Sequence, residues 1–203
     1  MNARAAVHPI EQESYAILRR RLDTTGLPPL TRAVVERVVH TSADTTWVGD
    51  LVAAEDALRA GRDALHAGAP LVTDVRMVAA GITARPATIA LDLAGTPEPG
   101  LTRSAAGIRA AVAQHPDGAV WAIGNAPTAL AELVHCAAAG LLRTPLVVGL
   151  PVGFVGAVDA KAALRASGLP AVSNRSERGG AAVAAAAVNA LLYSADPDGE
   201  ETP

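Results

Sequence analysis

The sequence predicts an α/β domain, a mostly parallel sheet covered by helices on both faces and preceded by an N-terminal helical segment. Three observations predict it. The first third of the 203 residues carries helix-period apolar patterns. From about residue 70, short apolar runs alternate with helical stretches. Most of those runs end in Gly-, Pro- or polar-rich segments. The length suits one domain over 1–203, with an acidic, proline-containing end over about 196–203 expected to fray.

In chain order, helices are expected over 11–23 and 30–41, separated by Gly26 and the Pro28-Pro29 breaker. A third, over 53–66, stops at Gly68 with His66 in its last turn. Strands are expected at 70–73, 88–93, 120–123, 146–149 and 171–173, with helices over 102–114, 126–139, 159–166 and 180–193. The residues after four of these strands are unusual. They are Thr73 to Met77, Ile123 to Thr128, Gly149 to Gly156 and Arg175 to Gly180. In an open α/β sheet ligands bind at the carboxyl ends of the strands, so four such loops on one edge make a candidate binding edge.

Composition narrows the function. Half of the residues are hydrophobic but only 2 % are aromatic, so a flat ligand would rest on aliphatic side chains and backbone. A net charge of −3 without a basic block argues against nucleic acid. The cations are sixteen arginines and one lysine, Lys161. A single cysteine, Cys136, excludes an internal disulfide framework, and its apolar helical setting makes it a core residue rather than a nucleophile. With no secretory leader and apolar stretches too short to span a bilayer, a cytoplasmic protein without a membrane role is expected. Phosphate-loop, Gly-x-Gly-x-x-Gly, Gly-x-Ser-x-Gly, His-Glu-x-x-His and Cys-x-x-Cys motifs are all absent. A receiver module would want an acidic cluster at the strand ends, where only Asp74 and Asp92 occur.

Five histidines remain as acid–base candidates. His66 and His115 fall at helix ends, His135 in an apolar helix as a core or interface residue, and His8 before a proline. His40 differs. Leu30, Val34, Val35, Val38 and Val39 form one apolar stripe, and at ~100° per residue His40 falls opposite it, near Glu36. It must meet solvent, a ligand or another subunit.

Taken in order, several segments resemble the precorrin-8X methylmutase family and its cobalt-using counterpart. They are His8-Pro9-Ile10-Glu11 with Ser14, Arg37-Val38-Val39-His40-Thr41, Gly68-Ala69-Pro70 leading to Thr73-Asp74 and Met77, and Thr102-Arg103-Ser104-Ala105-Ala106. Next come Ala122-Ile123-Gly124-Asn125-Ala126-Pro127-Thr128-Ala129-Leu130, Pro151-Val152-Gly153-Phe154-Val155-Gly156 and Arg178-Gly179-Gly180. The likeness runs from about His8 to Tyr193. It implies a flavodoxin-like three-layer α/β/α fold and a homodimer with the active site close to the subunit interface. It also implies an isomerase of cobalamin biosynthesis that moves the ring C methyl group of precorrin-8X, or cobalt-precorrin-8, from C11 to C12 without a cofactor or a metal site. Hydrogenobyrinate or its cobalt form is the product, which would pass to the next enzyme of the pathway.

The resemblance makes His40 the general acid, and Ser14 a ligand contact. Arg103 and Ser104 open a helix, where a guanidinium and free N–H groups suit a carboxylate arm. Thr73, Asp74, Met77, Gly124, Asn125 and Thr128 would complete the walls, with Pro151, Gly153 and Phe154 as the floor. Phe154 has core packing as its alternative role. Arg76 and Arg178 could grip a carboxylate, or point to solvent and start the last helix, respectively. A non-catalytic corrinoid carrier is the alternative function, although a carrier needs no acid.

Overall fold

The computed structural model describes residues 8–194, and the end expected to fray lies outside the described residues. Helix α1 (Pro9–Arg21) starts on His8, whose Nδ1 accepts the Ile10 N–H at 3.3 Å. It places Pro9 in the first turn and three arginines in the last, in keeping with the helix dipole. Helix α2 (Pro29–Ser42) begins at the proline pair. Its free Leu30 and Thr31 amides are capped at 2.8 and 2.9 Å by the carboxylate of Glu55, a residue of α4 (Glu55–His66).

The remaining elements are α3 (Trp47–Asp50), β1 (Leu51–Ala53), β2 (Leu71–Thr73), α5 (Arg76–Gly81), β3 (Thr88–Ile89), α6 (Arg103–Gln114) and β4 (Val120–Ile123). After these come α7 (Pro127–Ala138), β5 (Leu146–Gly149), α8 (Ala157–Ala166), β6 (Ala171–Asn174) and α9 (Ala181–Leu192). The sheet order is β1-β6-β5-β4-β2-β3, and every pairing is parallel except β1 with β6. With β2 counted as the first parallel strand, the five run 2-1-3-4-5, the doubly wound order of flavodoxin-like sheets.

Alternation along the strands separates two cores. On β4, Val120 and Ala122 join a cluster with α4, α5 and α9, whereas Trp121 and Ile123 face Ile108 of α6, Leu130 and Leu133 of α7 and Leu164 of α8. The first face is two helices deep, because α2 packs on α9 and α4 rather than on the sheet. This explains the sequence Ala-Ala-Val-Ala-Ala-Ala-Ala-Val-Asn-Ala-Leu-Leu of α9. Buried from Val183 to Leu191, it is apolar apart from Asn189, whose Nδ2 donates to the Gly81 carbonyl at 2.7 Å, and is built of side chains small enough to pass between two neighbours.

Three expectations need correction. The strand predicted at 88–93 pairs only at Thr88 and Ile89 before the chain winds into a 3-10 turn over Ala90–Leu93. The helix predicted from residue 53 starts at Glu55, because Leu51 to Ala53 instead form the antiparallel edge strand against β6. The short α3 and α5 were not predicted, being below the length at which periodicity registers.

Candidate active site

The strand order reverses between β2 and β4, and the carboxyl ends of those strands flank the crevice where doubly wound folds bind ligands. Asp74, the residue after β2, ties the two ends together. Its carboxylate accepts the amides of Gly124 (3.1 Å), Asn125 (2.8 Å) and Ala126 (2.9 Å) and is buried. Burial raises this carboxyl above the ordinary aspartate value, against the lowering effect of the amide donors. Thr73 is equally buried and donates to the Val75 carbonyl at 3.3 Å. Both residues shape the wall from behind. Gly124 has no room for a side chain, since a Cβ would lie 2.8 Å from Ala184 Cβ and Val78 Cγ2. Asn125 is half-buried, Met77 is exposed, and Arg76 pairs with Asp92 at 3.0 Å on the surface.

Beside this wall stand two helix starts. Thr102 caps α6 by accepting the Ala105 amide at 3.2 Å, and its hydroxyl donates to Thr128 in the first turn of α7 at 2.8 Å. Arg103 is exposed and Ser104 half-buried in the first turn of α6. Two helix N-termini with a nearby guanidinium make this corner attractive to carboxylates.

The third part is a pair of loops locked to each other. The Gly153 amide donates to the Glu177 carbonyl (3.1 Å) and the Gly180 amide to the Leu150 carbonyl (2.9 Å). Gly179 allows this contact, because a Cβ there would fall 2.3 Å from the Leu150 carbonyl oxygen and 2.4 Å from that of Pro151. Pro151 is buried under the loop, whereas Phe154 is 97 % and Val155 88 % exposed. Core packing of Phe154 is therefore ruled out. Asp50 steadies the second loop by accepting from the amides of Arg175 and Ser176 (2.9 Å each), the Ser176 hydroxyl (2.6 Å) and Asn174 Nδ2 (2.9 Å). Burial works to raise its carboxyl, and these hydrogen bonds outweigh it and hold it at about 2. Arg178 does not reach for solvent. It pairs with Asp44 and Thr46, and with Asp50 at 3.0 Å, and lies over the Trp47 ring at 5.0 Å. This joins the chain after α2 to the carboxyl edge of the sheet.

His40 lies in the last turn of α2, close to that junction. Its Nδ1 is 2.8 Å from the Ser14 hydroxyl of α1, and its ring stacks on Tyr15 with centroids 4.8 Å apart and planes inclined by 11°. Among the described residues its Nε2 has no protein hydrogen bond, and the ring is half-buried. The α1–α2 contact that creates this pair rests on Glu36, which binds Arg19 (2.8 Å), Arg32 (3.0 Å) and Thr24 (2.6 Å). Burial opposes its ionisation, but those donors hold it at about 2. A cavity of about 470 Å³ beside Tyr15 is lined by Glu11, Arg19, Glu36, Arg37 and Tyr193 among others, with Arg19 committed to Glu36 and Arg37 3.7 Å from Glu11.

The structure thus brings Ser14 and His40 together on one side of the sheet, and Arg103, Ser104 and Thr128 together on the other. The two locked loops stand at the same carboxyl edge. The remaining histidines do other work. His8 caps α1, His66 is exposed, and His115 lies 3.4 Å from Thr88 Oγ1. His135 is exposed on α7, which excludes the core alternative and leaves the interface one. Tyr15, Glu36 and Asp50 escaped sequence reasoning, because nothing in their spacing marks partners found across the fold.

A family model described as precorrin-8X methylmutase matches residues 9–194. The precorrin-8X methylmutase of Pseudomonas aeruginosa is 41 % identical over 193 residues, covering 90 % of this chain and 93 % of that one. The cobalt-precorrin-8 methylmutase of a Synechocystis species is 37 % identical over 213 residues, covering 95 % and 98 %. Among solved structures, the precorrin-8x methyl mutase of Thermus thermophilus superposes with a TM-score of 0.81 at 33 % identity, covering 90 % of this chain and 93 % of that one. The chain belongs to the precorrin-8X methylmutase family, whose members are isomerases.

Proposed function

We propose that this enzyme moves the ring C methyl group of precorrin-8X, or of cobalt-precorrin-8, from C11 to C12, with His40 as the general acid. The single observation that carries the assignment is the Ser14–His40 pair stacked on Tyr15. The Ser14 hydroxyl can accept from Nδ1–H both in the imidazolium and in the neutral ring left once Nε2 has given up its proton, so Ser14 supports His40 before and after proton transfer. The flat face of Tyr15 fixes the plane of the imidazole. Nε2 is left to donate to the corrin nitrogen next to the receiving carbon, which makes that carbon more electrophilic. The methyl group then shifts within one π system, and the proton returns to His40. General acid catalysis of this type supplies ~10²–10⁴-fold, and positioning in a water-poor site supplies more.

The acetate and propionate arms fit the α6 and α7 helix starts, with Arg103, Ser104, Asn125 and Thr128. Met77, Gly153 and Phe154 offer the apolar surfaces, Gly124 and Pro151 shape them from beneath, and Thr73 and Asp74 hold the wall behind them. The reaction requires no cofactor, because no electrons or groups leave the substrate. A homodimer in the cytoplasm, with its partner subunit and the corrinoid covering the exposed Phe154–Val155 tip, completes the reading. Hand-over of the product to the next pathway enzyme would follow.

The test is absorbance of wild-type and His40→Ala protein mixed with precorrin-8X. Wild-type is expected to produce the hydrogenobyrinate spectrum, and the variant to bind without converting. Equal conversion by both would place the acid elsewhere. Binding without conversion by wild-type would make the chain a carrier.

A further inference from the structure

The chain carries sixteen arginines and one lysine, and Lys161 is fully buried in the first half of α8. Its ammonium donates to three acceptors on one short segment: Asn174 Oδ1 at 2.9 Å, the Ser176 carbonyl at 2.5 Å and the Arg178 carbonyl at 2.7 Å. Three N–H groups meet three acceptors, so the buried charge is fully hydrogen-bonded. A planar guanidinium, with its five donors in a fixed fork, does not match three acceptors converging on one point.

Lys161 and Asp50 grip the loop after β6 in complementary ways. Asp50 draws the amides of Arg175 and Ser176 inward, while Lys161 draws in the carbonyls of Ser176 and Arg178. Asn174 joins the two, giving its Nδ2 to Asp50 and its Oδ1 to Lys161. The same loop then fastens the 151–156 loop through the Gly153 and Gly180 amides. We propose that Lys161 is a positioning residue for the corrinoid site: from inside the fold it sets the 175–180 loop, and through it the loop that displays Phe154. This rests on the reading above that those loops meet the corrinoid.

The charges facing the ammonium are Asp50 and Glu177, which favour it, and Arg165 and Arg178, which oppose it. Burial is the largest influence and brings Lys161 down to about 8. Loss of its proton leaves two donors for three acceptors.

The test compares Lys161→Met and Lys161→Arg with Leu164→Ala, a core substitution on the same helix whose side chain packs with Leu130 and Leu133 of α7. Hydrogen exchange is read at the Gly153 and Gly180 amides, and hydrogenobyrinate affinity by absorbance titration. Both Lys161 variants are expected to lose roughly tenfold protection at those two amides, equivalent to about one hydrogen bond, and a similar factor in affinity. Leu164→Ala is expected to show neither local effect. If Lys161→Met does not fold, Lys161→Gln serves in its place.

Unchanged protection at the two amides overturns the proposal, as does equal loss in Leu164→Ala. Lost protection with undiminished affinity also overturns it, leaving Lys161 a purely structural anchor. If wild-type protein binds no corrinoid, the functional reading itself fails and takes this role with it, a failure visible before any variant is compared.

Discussion

The hydroxyl of Ser14 lies 2.8 Å from Nδ1 of His40, bridging two helices that no short-range pattern links. It leaves one ring nitrogen for chemistry and dictates which one. Ser14→Ala is expected to keep the fold, since the serine is half-buried at a helix surface, and to lower kcat about tenfold, the worth of one good hydrogen bond. KM should change less than kcat. Steady-state kinetics on precorrin-8X check this, and an unaltered kcat would detach Ser14 from the acid.

Stability should fall in acid through two buried carboxylates. Asp50 and Glu36 both sit at about 2 in the folded chain, below unfolded values of roughly 3.9 and 4.3. Their contribution is complete above about pH 4.3 and disappears as pH falls through 2, each worth roughly 2–3 kcal/mol. Thermal unfolding at pH 7, 4 and 3 should show the steepest loss at the lowest step. Asp50→Asn should flatten that dependence and lower Tm at pH 7. A Tm at pH 3 equal to that at pH 7 would show that these pairs carry no such weight.

Phe154 offers the reverse case, a large apolar side chain with almost nothing beneath it. Phe154→Ser is expected to leave stability within about 0.5 kcal/mol, as surface substitutions do, while weakening corrinoid binding. Paired denaturant titration and absorbance titration separate the two effects. A large stability loss with intact binding would make Phe154 a packing residue of the assembled protein.

Much of this architecture was readable from residues alone, and where reading failed the cause is physical. The parallel strands at 120–123 and 146–149 announce themselves because each is buried on both faces and so uniformly apolar. Strand β1 does not, since three residues at a sheet edge carry no period and its partner lies more than a hundred residues later. The His40 helix was legible by angle, its valine stripe turning the imidazole away from the core, but the angle could not say that Tyr15 would be waiting there. Asp74 shows a different limit. The motif marks it as part of the site, whereas its three amide partners show that it works by bracing the wall. Lys161 left a compositional trace, being the one lysine of the chain, yet only the convergence of three oxygens explains it.

The alanines of α9 have a consequence for how this protein can change. Between the sheet and α2 there is space for one helix with methyl-sized side chains, and the core is already close-packed. A bulkier residue at Ala184 or Ala187 has nowhere to go except by prising its neighbours apart. One of those neighbours is the helix that bears His40. The girth of a silent inner helix thus acts as a gauge for the reach of the imidazole, and the plainest stretch of the sequence should be among the least free to drift.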